Sequence, residues 1–163
     1  MNSDFRSSFM ATFGPWTIDE ANRVLEAVFD RPALKDIRAT LKPEEEFEAL
    51  RVVERLVRDG VPVPDEHGVV ALLTNQRIIF IEGSRHLGAP WLASEITVAQ
   101  GIQIDEVSKY RHVHREGQER TAMLTMKSGR KWKIKWPAPP QTFEDKRFFV
   151  RLHDVLWRAN VIF

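Results

Sequence analysis

The sequence predicts an α+β protein: a helical segment, then an antiparallel β-sandwich or partly open barrel, capped by a C-terminal helix. Three observations carry this. The hydrophobic period is helical before Gly60 and switches to two after it. The connector Asp59-Gly60-Val61-Pro62-Val63-Pro64-Asp65 marks the switch. A helical period then returns near residue 148. Two regions follow, residues 1–60 and 61–163. With 163 residues, ten Phe and five Trp, the chain has the apolar bulk to bury a core. It has no cysteine, which excludes disulfides, thiol catalysis and thiolate metal sites.

In the first region Thr17 and Glu20 have capping-box spacing, and Ile18, Ala21, Val24, Leu25, Val28 and Phe29 follow on one helical face. Pro32 opens a short second helix through Leu34, Ile37 and Leu41. Pro43 opens a third, with Glu44, Glu45 and Glu46 as a solvated, dipole-matched first turn and Phe47, Leu50, Val53, Leu56 and Val57 inside. In the second region Val69 to Thr74 and Arg77 to Glu82 read as buried strands joined by a tight turn at Asn75-Gln76. The stretch from Gly83 to Gly101 holds one strand and an irregular loop. Ile102 to Arg115 reads as one long or bent strand. Thr121 to Lys127 alternates, with Ala122, Leu124 and Met126 on one face; Ser128-Gly129 is a hairpin turn. Arg130 to Trp136 alternates more cleanly, with Lys131, Lys133 and Lys135 outward and Trp132, Ile134 and Trp136 inward. Thr142 and Asp145 cap a last helix with Phe148, Leu152, Val155, Leu156 and Ala159 on its apolar face.

The run Gly68 to Phe80 contains Thr74-Asn75-Gln76-Arg77 followed by Ile78-Ile79-Phe80. It resembles the opening of bacterial PH-like (GRAM-like) domains, in which a first strand ends in Thr-Asn/Asp-x-Arg and the second begins Leu/Ile-Ile-Phe. Ile104 to Val107 resembles the short "I-x-x-I" strand of that family, Lys127 to Lys131 its late hairpin, and Phe149 to Trp157 its closing helix. The resemblance spans about residues 63–160. It implies the PH-like fold, with Thr74, Asn75, Arg77 and Phe80 as its fold motif, and says little of a ligand because this superfold hosts many roles. Lipid-binding PH domains hold inositol phosphates around their first hairpin. The matching turn here is short, with the single cation Arg77, so specific phosphoinositide recognition is not implied.

The formal charge of +1 is a sum of opposing parts. Residues 1–60 hold 9 basic and 12 acidic side chains, and residues 61–163 hold 15 and 11. Within residues 109–135, nine Lys/Arg stand against two Glu, a balance of +7. Lys109, Arg111, Arg130, Lys131, Lys133 and Lys135 are therefore expected on one sheet surface that suits an anionic lipid headgroup layer. Single-stranded nucleic acid fits less well, because Trp132 and Trp136 face away from the lysines. The acidic first region is a candidate competitor for that surface.

Other patterns point to interaction rather than catalysis. Phe5, Phe9, Phe13 and Trp16 form a candidate docking arm at near-helical spacing. The apolar Val161-Ile162-Phe163 suits pairing with a neighbouring subunit or folding back. His112 and His114 share a strand face, but no third metal ligand has matching spacing, and Asp105-Glu106 is no acid/base pair. No nucleophile elbow, zinc-protease motif or phosphate-cradling loop is present. The chain is thus expected to be a non-enzymatic, PH-like interaction module without a metal or cofactor. The partner is a protein or a second copy; the alternative is an anionic membrane, with a small acidic substrate the weakest reading. Met1 to Ser8 holds no apolar run of signal-peptide length, so the expected place is the cytoplasm or the inner face of its membrane.

Overall fold

The structure, a computed structural model, describes residues 14–28, 37–53, 55–62, 67–84, 92–96, 101–114, 120–136 and 143–163. Helix α1, Ile18–Val28, begins as expected. The Thr17 hydroxyl accepts a hydrogen bond from Glu20 N–H at 3.1 Å, one arm of the capping box. The described part of the expected second helix is a 3-10 turn, Ile37–Thr40, whose Ile37 N–H donates to Asn22 Oδ1 of α1 at 3.0 Å. Residues 29–36 lie outside the described set.

The third expected helix is a correction. Phe47–Val53 and Arg55–Arg58 are strands, β1 and β2. Their apolar spacing of three suited a helix, yet Phe47, Glu48, Ala49 and Leu50 are buried in succession, which one helical stripe does not allow but a strand covered on both faces does. The supposed helix-ending connector is a hairpin turn. Asp59 and Gly60 both have positive φ, 51° and 80°, the type I′ geometry that joins β2 to β3, Val61–Pro62. Strands β4, His67–Thr74, and β5, Arg77–Ser84, form the expected hairpin, followed by β6, Leu92–Ile96. The single long strand expected from Ile102 is instead β7, Ile102–Gln103, a 3-10 turn at Ile104–Glu106, and β8, Val107–His114. The "I-x-x-I" segment is thus mostly that turn. Strands β9, Arg120–Met126, and β10, Lys131–Trp136, precede helix α2, Phe143–Arg158.

The protein is α+β, with two antiparallel sheets and a C-terminal helix. The first sheet has the order β1-β4-β5-β6, with β7 also on β5; the second has β3-β2-β10-β9-β8. Strand β1 pairs with β4 in the first sheet, and β2 pairs with β10 in the second. Phe80 of the first sheet stacks on Trp132 of the second, ring centroids 5.4 Å apart. Helix α2 packs on β1 and brings Phe148 and Phe149 against Trp136, with centroids at 5.3 and 4.5 Å. Helix α1 packs on β1 and the 3-10 turn.

Two buried carboxylates fix the entry of β1. Glu45, expected in a solvated helix start, receives the Arg77 guanidinium as a fork, Nε to Oε2 at 2.8 Å and Nη2 to Oε1 at 2.9 Å. The Thr74 hydroxyl donates to Glu45 Oε2 at 2.7 Å and accepts from Gln76 N–H and Arg77 N–H. Asn75 completes the clasp: its N–H donates to Glu46 O, and its Oδ1 accepts Glu46 N–H. The Thr74-Asn75-Gln76-Arg77 motif therefore holds residues 45–46, and its cation is spent inside the fold. Three residues on, Glu48 Oε2 accepts Arg151 Nη2 and Nε at 2.6 and 3.0 Å, and Oε1 accepts Arg158 Nη2 at 2.9 Å. These pairs fasten α2 to β1. Arg147 ties α2 to the N-terminal residues through Glu20 Oε2 at 2.9 Å and the carbonyls of Gly14 and Pro15.

Helix α2 ends in a Schellman turn. Val161 N–H donates to Leu156 O, Asn160 N–H to Trp157 O, and Asn160 takes φ 61°. The turn sends Val161 to Phe163 back along β8, where Tyr110 N–H donates to Ile162 O at 2.7 Å. Of the two expectations for this tail, the structure shows folding back.

Removing one partner of a buried ion pair costs about 3–5 kcal/mol, so Glu45→Gln should lower the unfolding free energy by roughly that amount in urea. Burial alone would raise the Glu45 pKa, but hydrogen bonds from Arg77, Thr74 and Lys42 N–H hold it below its ordinary 4.5. A depressed folded-state pKa contributes stability above the unfolded value, lost as pH falls through the folded one. Urea midpoints of the wild type should therefore drop as pH falls below about 4.5, and this drop should be smaller in Glu45→Gln.

Candidate basic surface

The register of the second sheet builds the basic surface row by row. Residues directly opposite across an antiparallel pair share a face. One row reads Lys109, Thr125, Lys131; the next Arg111, Met123, Lys133, Val57, Pro62; the third Val113, Thr121, Lys135, Arg55. Trp132, Ile134, Trp136, Ala122 and Leu124 alternate with these positions and are buried. Six cations thus share the outer face: Arg55, Lys109, Arg111, Lys131, Lys133 and Lys135. Five are exposed and Lys135 is half-buried. None of the strand residues in these rows is acidic. Among the described residues no carboxylate is ion-paired with Arg55, Lys109, Arg111, Lys131 or Lys133.

Five of the six cations expected together are on this face. Arg130 is not: it sits in the turn before β10 and lines a cleft with Arg58, Glu106, Met126 and Trp132. Arg120 shares a row with Trp136 and holds its guanidinium over the Phe149 ring at 5.7 Å. Arg55 was hidden by the helical reading of residues 43–57. The signal that reveals it is Asp59-Gly60, read as a type I′ hairpin turn.

The spacing of the charges limits what they can hold. Along β10 the lysines stand about 7 Å apart, and Lys109 and Lys131, two strands apart, are separated by about 10 Å. Lys135 and Arg55 stand directly opposite, about 5 Å apart, and the six together spread positive charge over three rows. The array fits distributed negative charge better than a single anion.

The remaining site candidates resolve differently. Trp16 is buried beneath the Arg147 guanidinium, 5.3 Å from its ring centroid. It is a core residue and not part of an exposed arm; Phe5, Phe9 and Phe13 lie outside the described residues. Phe80 is buried. The His112 ring stacks on Phe149 at 4.5 Å. Among the described residues no group of three or more His, Asp or Glu is placed to hold a metal ion, and no helix is long and apolar enough to cross a membrane. Ala159, expected on the inner face of the last helix, is exposed in the turn that follows it.

No protein-family model matches this sequence, and no curated protein does. The physical reading of the surface therefore stands on the residues themselves.

The alternation makes a direct prediction. Lys131→Gln and Lys133→Gln should each change the unfolding free energy by less than about 0.5 kcal/mol. Trp132→Ala, one residue away on the inner face, should cost about 3–5 kcal/mol. Urea denaturation of the three variants checks this.

Proposed function

We propose that this chain is a PH-like docking module, non-enzymatic, that attaches to anionic membrane surfaces through the outer face of its second sheet. The observation that carries the reading is the array of six cations in three register rows, with no acidic residue in those rows. Each Lys or Arg close to an acidic bilayer contributes about 1 kcal/mol, so the array acts as a unit where a single cation would not. Consecutive strands β1 and β2 placed in the two antiparallel sheets, and a closing C-terminal helix, support the PH-like assignment. So does the Thr74-Asn75-Gln76-Arg77 clasp.

Membrane lipid is favoured over the other partners by three features. The rows hold no aromatic ring on which a base could stack, since Trp132 and Trp136 are buried. The edge of β8 is covered by the tail at residues 108–110, which removes that edge from strand pairing with another protein. The buried Glu45 and Glu48 are both engaged by arginines in holding the fold, leaving neither poised for proton transfer.

Flotation with vesicles containing phosphatidylserine should retain the wild type, whereas phosphatidylcholine vesicles should not. Neutralising Lys131, Lys133 and Lys135 together as Gln should weaken binding by about 3 kcal/mol, roughly a hundredfold, and added salt should weaken the wild type. Equal binding to both vesicle types, or no effect of the triple substitution, would overturn the reading. Retention by a polyanion such as single-stranded DNA, with none by vesicles, would reassign the face.

A further inference from the structure

We infer that Trp157, Ile162 and Phe163 form an insertion corner that enters the headgroup–acyl boundary of an anionic bilayer as the basic face docks. This deepens the membrane reading above and rests on it. Four large apolar residues are strongly exposed among the described ones, and three meet here: Trp157 at 66%, Ile162 at 66% and Phe163 at 43%. Water-exposed apolar groups gathered at one corner mark an interaction site more than scattered ones do.

The corner is built rather than frayed. The Schellman turn at Asn160 reverses the chain, and the tail pairs in parallel with β8, Lys109 opposite Ile162. Phe163 meets Tyr110 edge-on at 5.3 Å, His153 at 4.6 Å and Trp157 at 5.8 Å between centroids. These contacts hold the rings while leaving their outer surfaces in water.

Its position names the occupant. The bridge places Ile162 beside Lys109, so it extends the row Lys109, Thr125, Lys131 by one apolar residue. Ile162 is thus continuous with the cationic face, while Phe163, packed on the inward Tyr110, and Trp157 beside it lie round the β8 edge. Apolar and aromatic side chains beside a row of Lys and Arg are what the boundary of an anionic leaflet accommodates, rings below the headgroups and cations among them. A second copy docked symmetrically would bring Lys109 and Arg111 toward their own counterparts, a like-charge cost that an anionic lipid layer does not impose.

The test uses tryptophan fluorescence of the full chain with vesicles of phosphatidylserine and phosphatidylcholine whose acyl chains are brominated. Of the five tryptophans, Trp16, Trp132 and Trp136 are buried, so in a Trp91→Phe background insertion at the corner should quench a component that Trp157→Phe removes. The Trp157→Ala/Phe163→Ala pair should bind these vesicles about tenfold more weakly or worse, with the same salt dependence and an unchanged circular dichroism melt. If Trp157→Phe is quenched like the wild type, or the double variant binds equally well, the corner does not insert, although docking through the basic face survives. Failure of the wild type to bind anionic vesicles would overturn both. If the double variant converts a lipid-free dimer to monomer in light scattering, the corner is a subunit interface and the insertion proposal fails.

Discussion

The organisation of this protein depends on how two buried carboxylates are neutralised where β1 begins. Glu45 and Glu48 stand at the entry of β1, the strand that precedes β2 of the other sheet, and each is met by arginine from a distant part of the chain. A buried carboxylate without a partner is costly, so these residues hold β1 at one position relative to the β4–β5 hairpin and α2. Much of the rest follows from that placement. With β1 set, β2 reaches β10, the second sheet gains Arg55 and Val57, and α2 lies where its end can turn the tail onto β8.

The same economy explains the separation of structural and surface charge. Arg77 and Arg151 lie inside, paired and nearly inaccessible. The cations of β8, β10 and β2 lie outside at exposed alternate positions. The period of the strand makes this division possible, because every inward Trp or Ile of β10 is preceded by an outward Lys. One strand thus serves the core and the surface at once, and the two can be altered separately.

Some of this was legible from residues alone. The cap at Thr17, the β4–β5 hairpin, the alternation of β9 and β10 and the amphipathic α2 all rest on local rules: a hydroxyl beside a free N–H, a short turn, a period of two or of 3.6. The basic face was legible for the same reason, since consecutive antiparallel strands put alternate residues on a shared surface. Residues 43–58 misled because three-residue apolar spacing suits a helical face. Their burial in succession depends on the rest of the fold, and the side-chain partners of Glu45 and Glu48 lie 29 or more residues away.

By itself, then, the sequence determined the α+β class, most strands of the second region, both long helices and the existence of a concentrated basic surface. Tertiary structure decided that residues 47–53 and 55–58 are strand, that Trp16 is core, that Arg77 is a clasp rather than a ligand-facing cation, and that the tail closes the β8 edge beside Lys109. The physical reason is range. Periodicity, capping and turn chemistry act over a few residues, whereas the burial of a charge or the pairing of an edge depends on which distant group arrives to satisfy it.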